Sequence, residues 1–275
     1  MVIIKIWGGL GNQLFQYYFG VYLNKIYKYE VKYHYWNETN NSEYTSRDFM
    51  LNELNLIFAK NNEILKCKFT LYNTLFRLER HIIKLFPFLN SSYFIENKIN
   101  INHKFQDNIY YDGYWQSSYY LKHVKDIIDS DYKKKIVNTI SNHNLFNEIK
   151  FNKSVSLHIR RGDLLNNSSH FYKINDVMYY KNIISNIRLK YKFSKIYIFS
   201  DDLIWIKSNL NIPDVVLVQN NTPFVDLILM SLCKINIIEN STFSWWAAWF
   251  NTDNNIVITS NNTYLFNFYT KQTIF

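Results

Sequence analysis

Four short segments hold the polar residues whose types and spacing could do chemistry. In "SVSLHIRRGD", residues 154–163, Val155, Leu157 and Ile159 alternate with Ser156, His158 and Arg160, and Arg161, Gly162 and Asp163 fill the turn that follows. A guanidinium is a rigid fork of donors fitted to phosphate, and it stays charged at any relevant pH. An internal Arg–Asp salt bridge would fix the turn but would account for only one arginine, which leaves Arg160 for an anion. "IFSDDLIW" sets Asp201 beside Asp202. Such a pair can cap the next helix, hold a metal, or accept from the amino groups of a purine or from a ribose hydroxyl, and the local sequence favours the cap. In "IIENSTFSWWAAWF", Ser241 or Thr242 makes a good N-cap, and the N–H groups of the following turn form an anion site. Trp245, Trp246 and Trp249 recur at helical spacing and are read as packing between helix and sheet, with Ala247 and Ala248 small enough for a close approach. In "WGGLGNQ", Gly9 and Gly11 would let backbone approach a ligand while Asn12 and Gln13 donate to an anion, but a tight turn with a capped helix accounts for the same residues. In the dinucleotide register from Gly9 the third glycine position is Leu14, so that fingerprint is not met.

Each segment follows a run that reads as a strand. From residue 154 onward, short β-branched runs ("SVSLHIR", "KIYIFS", "DVVLVQ", "INIIEN", "NIVITS") alternate with helix-length segments, as in a parallel sheet covered on both faces. The N-terminal part opens in the same style, with "VIIKIW", a glycine turn, the helical spacing of "QLFQYYFGVYLNKIY", and "YEVKYHY". Residues 40–110 follow no such pattern apart from helices expected near 61–86. A boundary at 145–153 divides the chain into 1–150 and 151–275, two Rossmann-like α/β halves facing one another across a cleft. In such sheets, ligands bind beyond the carboxyl ends of the strands.

Composition narrows the partners. The chain is 48% hydrophobic, 19% aromatic and 19% charged, which suits a packed globular protein. A net charge of +9 favours an anionic partner, but the cations are scattered, with one tight run at Lys133–Lys135, and nucleic acid is not the expected one. Cys67 and Cys233 lack the spacing of a disulfide framework or a zinc site, and Cys233 reads as a small buried hydrophobe. "MVIIKIWGG" is too short for a signal-peptide core, and no apolar run approaches the roughly 20 residues that cross a bilayer. The expected location is therefore cytoplasmic. Arginines, a helix N-terminus and a glycine turn along one cleft would suit a diphosphate, as in a nucleotide-sugar glycosyltransferase. A noncatalytic glycan-binding module would instead rely on exposed aromatics, and a Rossmann oxidoreductase would need a glycine at Leu14.

Taken in order, "GGLGNQLFQYYFG", "GYWQSSYY", "HIRRGD", "FSDD" and "NSTFSWWAAW" closely resemble family 11 of the glycosyltransferases, the α-1,2-fucosyltransferases, from residue 8 to residue 250. The resemblance implies a two-domain GT-B-type fold, with an acceptor-side N-terminal half and a donor-binding C-terminal half. It implies inverting, metal-independent transfer of L-fucose from GDP-β-L-fucose to the 2-hydroxyl of a β-galactoside, with no cofactor. Carried over by position, Arg160 grips the β-phosphate, with His158 and Arg161 in the same donor pocket. Asn12 lies at the fucose and phosphate end, in the turn with Gly9, Gly11 and Gln13. Asp201 and Asp202 bind the guanine side, displacing the cap reading, and Ser241, Thr242, Phe243 and Ser244 wrap the pyrophosphate. For the acceptor's proton the candidates are Asp163, Asp112 and His158, with Asp163 preferred. The resemblance also implies a bacterial enzyme of surface-polysaccharide or O-antigen synthesis, acting on an oligosaccharide or lipid-linked glycan. Its basic surface would suit peripheral contact with anionic lipid at the inner face of the membrane.

Overall fold

An apolar strand flanked by equally apolar neighbours must be covered on both faces, and this chain builds two sheets on that rule. The computed structural model describes residues 1–36, 48–68, 73–96, 104–135, 140–165, 174–251, 256–259 and 273–274. The chain divides into two units, Met1–Asp131 and Tyr132–Phe275.

The first unit opens with β1 (Val2–Ile6), every residue of which is buried, and α1 (Leu10–Tyr27), followed by β2 (Val31–Tyr35), α2 (Asn61–Cys67) and α3 (Asn73–Leu85). Next come β3 (Tyr93–Ile95), β4 (Tyr110–Asp112), α4 (Ser118–His123) and α5 (Lys125–Lys135), the last crossing the division. The four strands run parallel in the order β2-β1-β4-β3.

The second unit contains α6 (Asn144–Phe151), β5 (Val155–Ile159), α7 (Gly162–Leu165), α8 (Val177–Lys190), β6 (Ile196–Ser200) and α9 (Leu203–Asn209). It continues through β7 (Val215–Leu217), α10 (Pro223–Leu232), β8 (Ile235–Ile238), α11 (Thr242–Phe250), β9 (Ile256–Thr259) and β10 (Thr273–Ile274). Its six strands are parallel in the order β7-β6-β5-β8-β9-β10, the doubly wound Rossmann arrangement. The division lies before the 145–153 read from the sequence. Helix α6 packs against α10, and Ser154 Oγ donates to the Ile149 carbonyl at 3.0 Å, so α6 goes with the second unit. No helix among the described residues is long and apolar enough to cross a membrane.

One face of the first sheet buries charge. Lys5 and Asp112, on neighbouring strands and essentially inaccessible, pair at 3.4 Å, while Arg80 Nε and the Tyr93 hydroxyl each donate to Asp112 Oδ2 at 2.9 Å. Lys68 lies 3.8 Å from Glu79, and both are buried. Indole faces complete the lysines' surroundings, with Lys5 Nζ 4.4 Å from the Trp7 ring centroid and Lys68 Nζ 4.9 Å from that of Trp36. Burial outweighs these attractions and lowers each lysine's pKa to about 8. Desolvation alone would raise the Asp112 carboxyl, but the Lys5 and Arg80 charges and the Tyr93 bond hold it below the ordinary carboxylate range. Asp112 is thus a structural anion, withdrawn from the proton-accepting role weighed for it. Asp112→Asn would leave two cations facing a neutral amide, at a cost of about 3–5 kcal/mol of stability. Urea unfolding measures this loss, and one under about 1 kcal/mol would mean that the cluster behaves like a hydrated surface pair.

Candidate donor site and the turn of the first unit

Strand order in the second unit reverses between β5 and β8, whose onward connections lead to β6 on one side and β9 on the other. A doubly wound sheet binds its ligands at such a switch point. The sequence motifs "HIRRGD" and "ENSTFS" end the two strands that flank it. The β5–β8 ladder stops at the pair Leu157–Ile237. Beyond it Glu239 takes over, one carboxylate oxygen accepting from the Arg160 backbone N–H at 3.2 Å. The other oxygen accepts from the Tyr180 hydroxyl at 2.5 Å and from Asn175 Nδ2 at 3.0 Å. Burial raises the Glu239 carboxyl above its ordinary range against the pull of these hydrogen bonds. His158, 8% exposed, packs its ring on Phe243 at 5.4 Å and so makes a second link from β5 to the start of α11.

The two arginines take different places. Arg161 pairs outside its own turn and not within it as an internal Arg–Asp bridge would, its Nε lying 3.4 Å from Asp202 Oδ2, and its guanidinium lies 3.8 Å from the Trp205 ring centroid. Its backbone N–H donates to Asp201 Oδ1 at 2.8 Å. A Cβ on Gly162 would come within 3.1 Å of Asp201 Oδ2, so glycine allows this close approach. Asp202 Oδ1 also accepts from the Trp205 N–H at 3.0 Å, the cap that local sequence favoured. Half-buried Arg160 stands at the switch point itself. Residue 163 lies in α7, but the Asp163 side chain is outside the described ones.

At β8, Ser241 occupies the N-cap of α11 without a side-chain cap, whereas Asp176, Asp202 and Thr222 cap α8, α9 and α10. Thr242 and Phe243 remain partly exposed in the first turn. Ser244 departs from expectation, being fully buried with its hydroxyl donating to the Ser241 carbonyl at 3.2 Å, so its side chain faces the helix. Trp245 and Trp246 are fully buried, as read from their spacing, and Trp249 stacks on Trp245 at 5.1 Å.

In the first unit β1 lies between β2 and β4, and the glycine turn follows its carboxyl end. Gly8 takes φ 78°, a left-handed turn that suits glycine, and Gly9 is the N-cap of α1, again without a side-chain cap. Gly11 is buried within α1. Asn12 Oδ1 accepts from Gln116 Nε2 at 3.0 Å, joining the "GGLGN" turn to the "GYWQ" segment after β4. Gln13 was expected to face a ligand and instead is fully buried. Its Nε2 donates to the carbonyls of Gly8 (2.7 Å) and Asp48 (2.9 Å), and its Oε1 accepts from the Met50 N–H at 2.9 Å. One turn on, Gln16 accepts from the Trp7 N–H at 2.9 Å and donates to the Gly113 carbonyl at 3.2 Å. Trp115 holds φ 56°, unusual for an aromatic residue, where Glu96 accepts from the N–H groups of Tyr114 (2.6 Å) and Trp115 (3.0 Å).

Glu239 was absent from the sequence reading, although it bears the mark that singled out Arg160 and Asp201, a charged residue at the tip of an apolar strand. Glu239→Ala would leave three donors without their acceptor, at a cost of about 1–3 kcal/mol. Glu239→Gln keeps an acceptor oxygen and should recover part of that loss in urea unfolding. An unchanged Glu239→Ala midpoint would mean that the bridge carries no weight.

Comparison with known proteins adds to this geometry. The family described as Glycosyl transferase family 11 matches residues 1–275. An Escherichia coli protein named Alpha-1,2-colitosyltransferase is 33% identical over 269 residues, covering 90% of this chain and 87% of the relative. The Escherichia coli O-antigen biosynthesis glycosyltransferase WbnK is 28% identical over 278 residues, covering 92% of this chain and 91% of its own. Crystal structures of NodZ alpha-1,6-fucosyltransferase, one soaked with GDP-fucose and one co-crystallized with GDP, align at TM-scores of 0.45 and 0.47 with 13% identity. They cover 90% of this chain and 90% and 91% of the NodZ chains. By the match along its whole length, this chain is a member of glycosyl transferase family 11.

Proposed function

We propose that this glycosyltransferase moves L-fucose, with inversion, from GDP-β-L-fucose to the 2-hydroxyl of a β-galactoside during surface-polysaccharide assembly. The observation that carries the reading is that Arg160 and the start of α11, which has no side-chain cap, follow the two strands that flank the switch point of the second unit's sheet. An oxocarbenium-like transition state leaves growing negative charge on the departing GDP. A bidentate guanidinium and helix N–H groups held in place beforehand oppose that charge without reorganising. In this reading Arg160 takes the part that a divalent cation takes in other transferases. Asp201 and Asp202 read the guanine edge by accepting from its amino group, and Asp163 receives the acceptor's proton. The enzyme acts at the inner face of the membrane, where a lipid-linked acceptor would lie.

A second reading draws support from the colitosyltransferase relative. Colitose is fucose without its 3-hydroxyl, so the same diphosphate machinery serves both sugars, and GDP-colitose is the alternative donor. Comparing kcat/KM for the two GDP-sugars separates the readings.

Arg160→Lys keeps the charge but loses the fork, and turnover of the preferred donor should fall by about 10²-fold or more. Near-wild-type turnover in a folded Arg160→Lys protein would remove Arg160 from the phosphate.

In buffer containing EDTA, GDP at about 100 times its Kd should add roughly 2.7 kcal/mol and raise the melting temperature by about 5–10 °C, with UDP doing far less. Asp201→Asn should blunt the GDP shift and spare that of inorganic pyrophosphate. Equal shifts with GDP and UDP would show that the acidic pair does not read the base. A GDP shift that appears only with added magnesium would overturn the metal-free reading.

A further inference from the structure

Helix α3 has two apolar faces, and the core takes only one. Ile83 turns inward to Ile64, Tyr93 and Ile95. Leu78 and Leu85, seven residues apart and therefore on one side of the helix, are 57% and 58% exposed. The chain then turns through a short 3₁₀ segment, Pro87–Leu89, where Phe88 and Leu89 and the preceding Phe86 are 79%, 50% and 48% exposed. This turn is well tied. The Phe86 N–H donates to the Ile82 carbonyl at 2.8 Å, the Leu89 N–H to that of Phe86 at 3.1 Å, and Asn90 Nδ2 to that of Cys67 at 2.9 Å. The Phe86 and Phe88 rings contact one another at 6.0 Å between centroids. An isolated exposed apolar side chain is ordinary, but a run of them held out by an ordered turn is not.

Among the described residues of this stretch of chain, the exposed charges have one sign. From residue 64 to residue 95 the only acidic residue is Glu79, which is buried against Lys68. Lys66, His81 and Lys84 in the same stretch lie exposed. A surface binding another protein through its apolar groups has no need of a stretch of chain free of exposed anions. An anionic bilayer rewards both features, since apolar side chains enter the boundary between headgroups and acyl chains while cations meet lipid phosphates.

We infer that the outer face of α3 and the Phe86–Leu89 turn dock on the surface of an anionic phospholipid bilayer, with Phe86 and Phe88 immersed. This surface requires no step of the donor chemistry proposed above, and its test contains no sugar nucleotide, so either can fail without the other. The full chain is mixed with phosphatidylglycerol-containing vesicles or with pure phosphatidylcholine vesicles and floated on a density gradient. The protein should float with the anionic vesicles, less so as salt rises, and far less with phosphatidylcholine. The double variant Phe86→Ser/Phe88→Ser should lower partitioning by about tenfold or more. Lys66→Glu/Lys84→Glu should weaken anionic-vesicle binding alone. Both variants should keep the wild-type melting temperature, because these side chains are exposed. Failure of the wild-type chain to float with anionic vesicles at low salt would overturn the inference, as would wild-type binding by the double phenylalanine variant. A wild-type dimer that ignores vesicles and becomes monomeric in that variant would also overturn it, by making the face a contact between two copies of the chain.

Discussion

Where strands β5 and β8 part, a side chain does the work of the backbone. Their ladder ends at Leu157–Ile237, and a doubly wound sheet needs that parting, because the onward connections diverge on either side. The divergence opens room for a ligand but leaves the facing edges of the two strand tips without ladder partners, while their outer edges stay paired to β6 and β9. Glu239 spans the opening, fixing the Arg160 backbone on one side and engaging Asn175 and Tyr180 on the other. Around it, His158 leans on Phe243, Arg161 is clamped by Asp202 and Trp205, and α11 begins without a side-chain cap. Each of these features presupposes that β5 and β8 end at fixed heights relative to one another.

Much of this was legible in the sequence. Apolar β-branched runs breaking off at "RRGD", "SDD" and "ENSTFS" mark strand ends in a parallel sheet, and all three stand at such ends here. Helices expected near 61–86 are α2 and α3. The short strands β3 and β4 lie in mixed aromatic stretches with no β-branched run to mark them, whereas "DVVLVQ" marks the equally short β7. The direction a polar side chain faces was harder to read. Gln13 looks like a ligand donor in a glycine-rich turn, yet its partner Asp48 lies 35 residues away in the chain. Ser244 looked available for a phosphate until the tightness of the α11 start turned its hydroxyl inward. Local sequence carries little information about such distant partners.

The first unit answers a different constraint. Three cations and two carboxylates share one face of its sheet, at a depth where a charge normally shifts its pKa or finds a partner. Both happen here, since the lysines are pushed down to about 8 while Asp112 stays ionised among its donors. The indoles of Trp7 and Trp36 stand in for water over the lysine ammonium groups. Such a cluster tolerates few rearrangements, which holds the tips of β1 and β4 in register beneath the glycine turn.

The brace built by Gln13 and Gln16 touches main-chain atoms only. Its partners are the carbonyls of Gly8, Asp48 and Gly113 and the N–H groups of Trp7 and Met50. A fastening that ignores side chains leaves those side chains free to drift. The side chains at 48 and 50 can be exchanged over evolutionary time, or in a designed library, while the backbone path that carries them stays put. The first unit thus separates frame from facing, and new surface chemistry can be tried at these positions without rebuilding the helix that holds them.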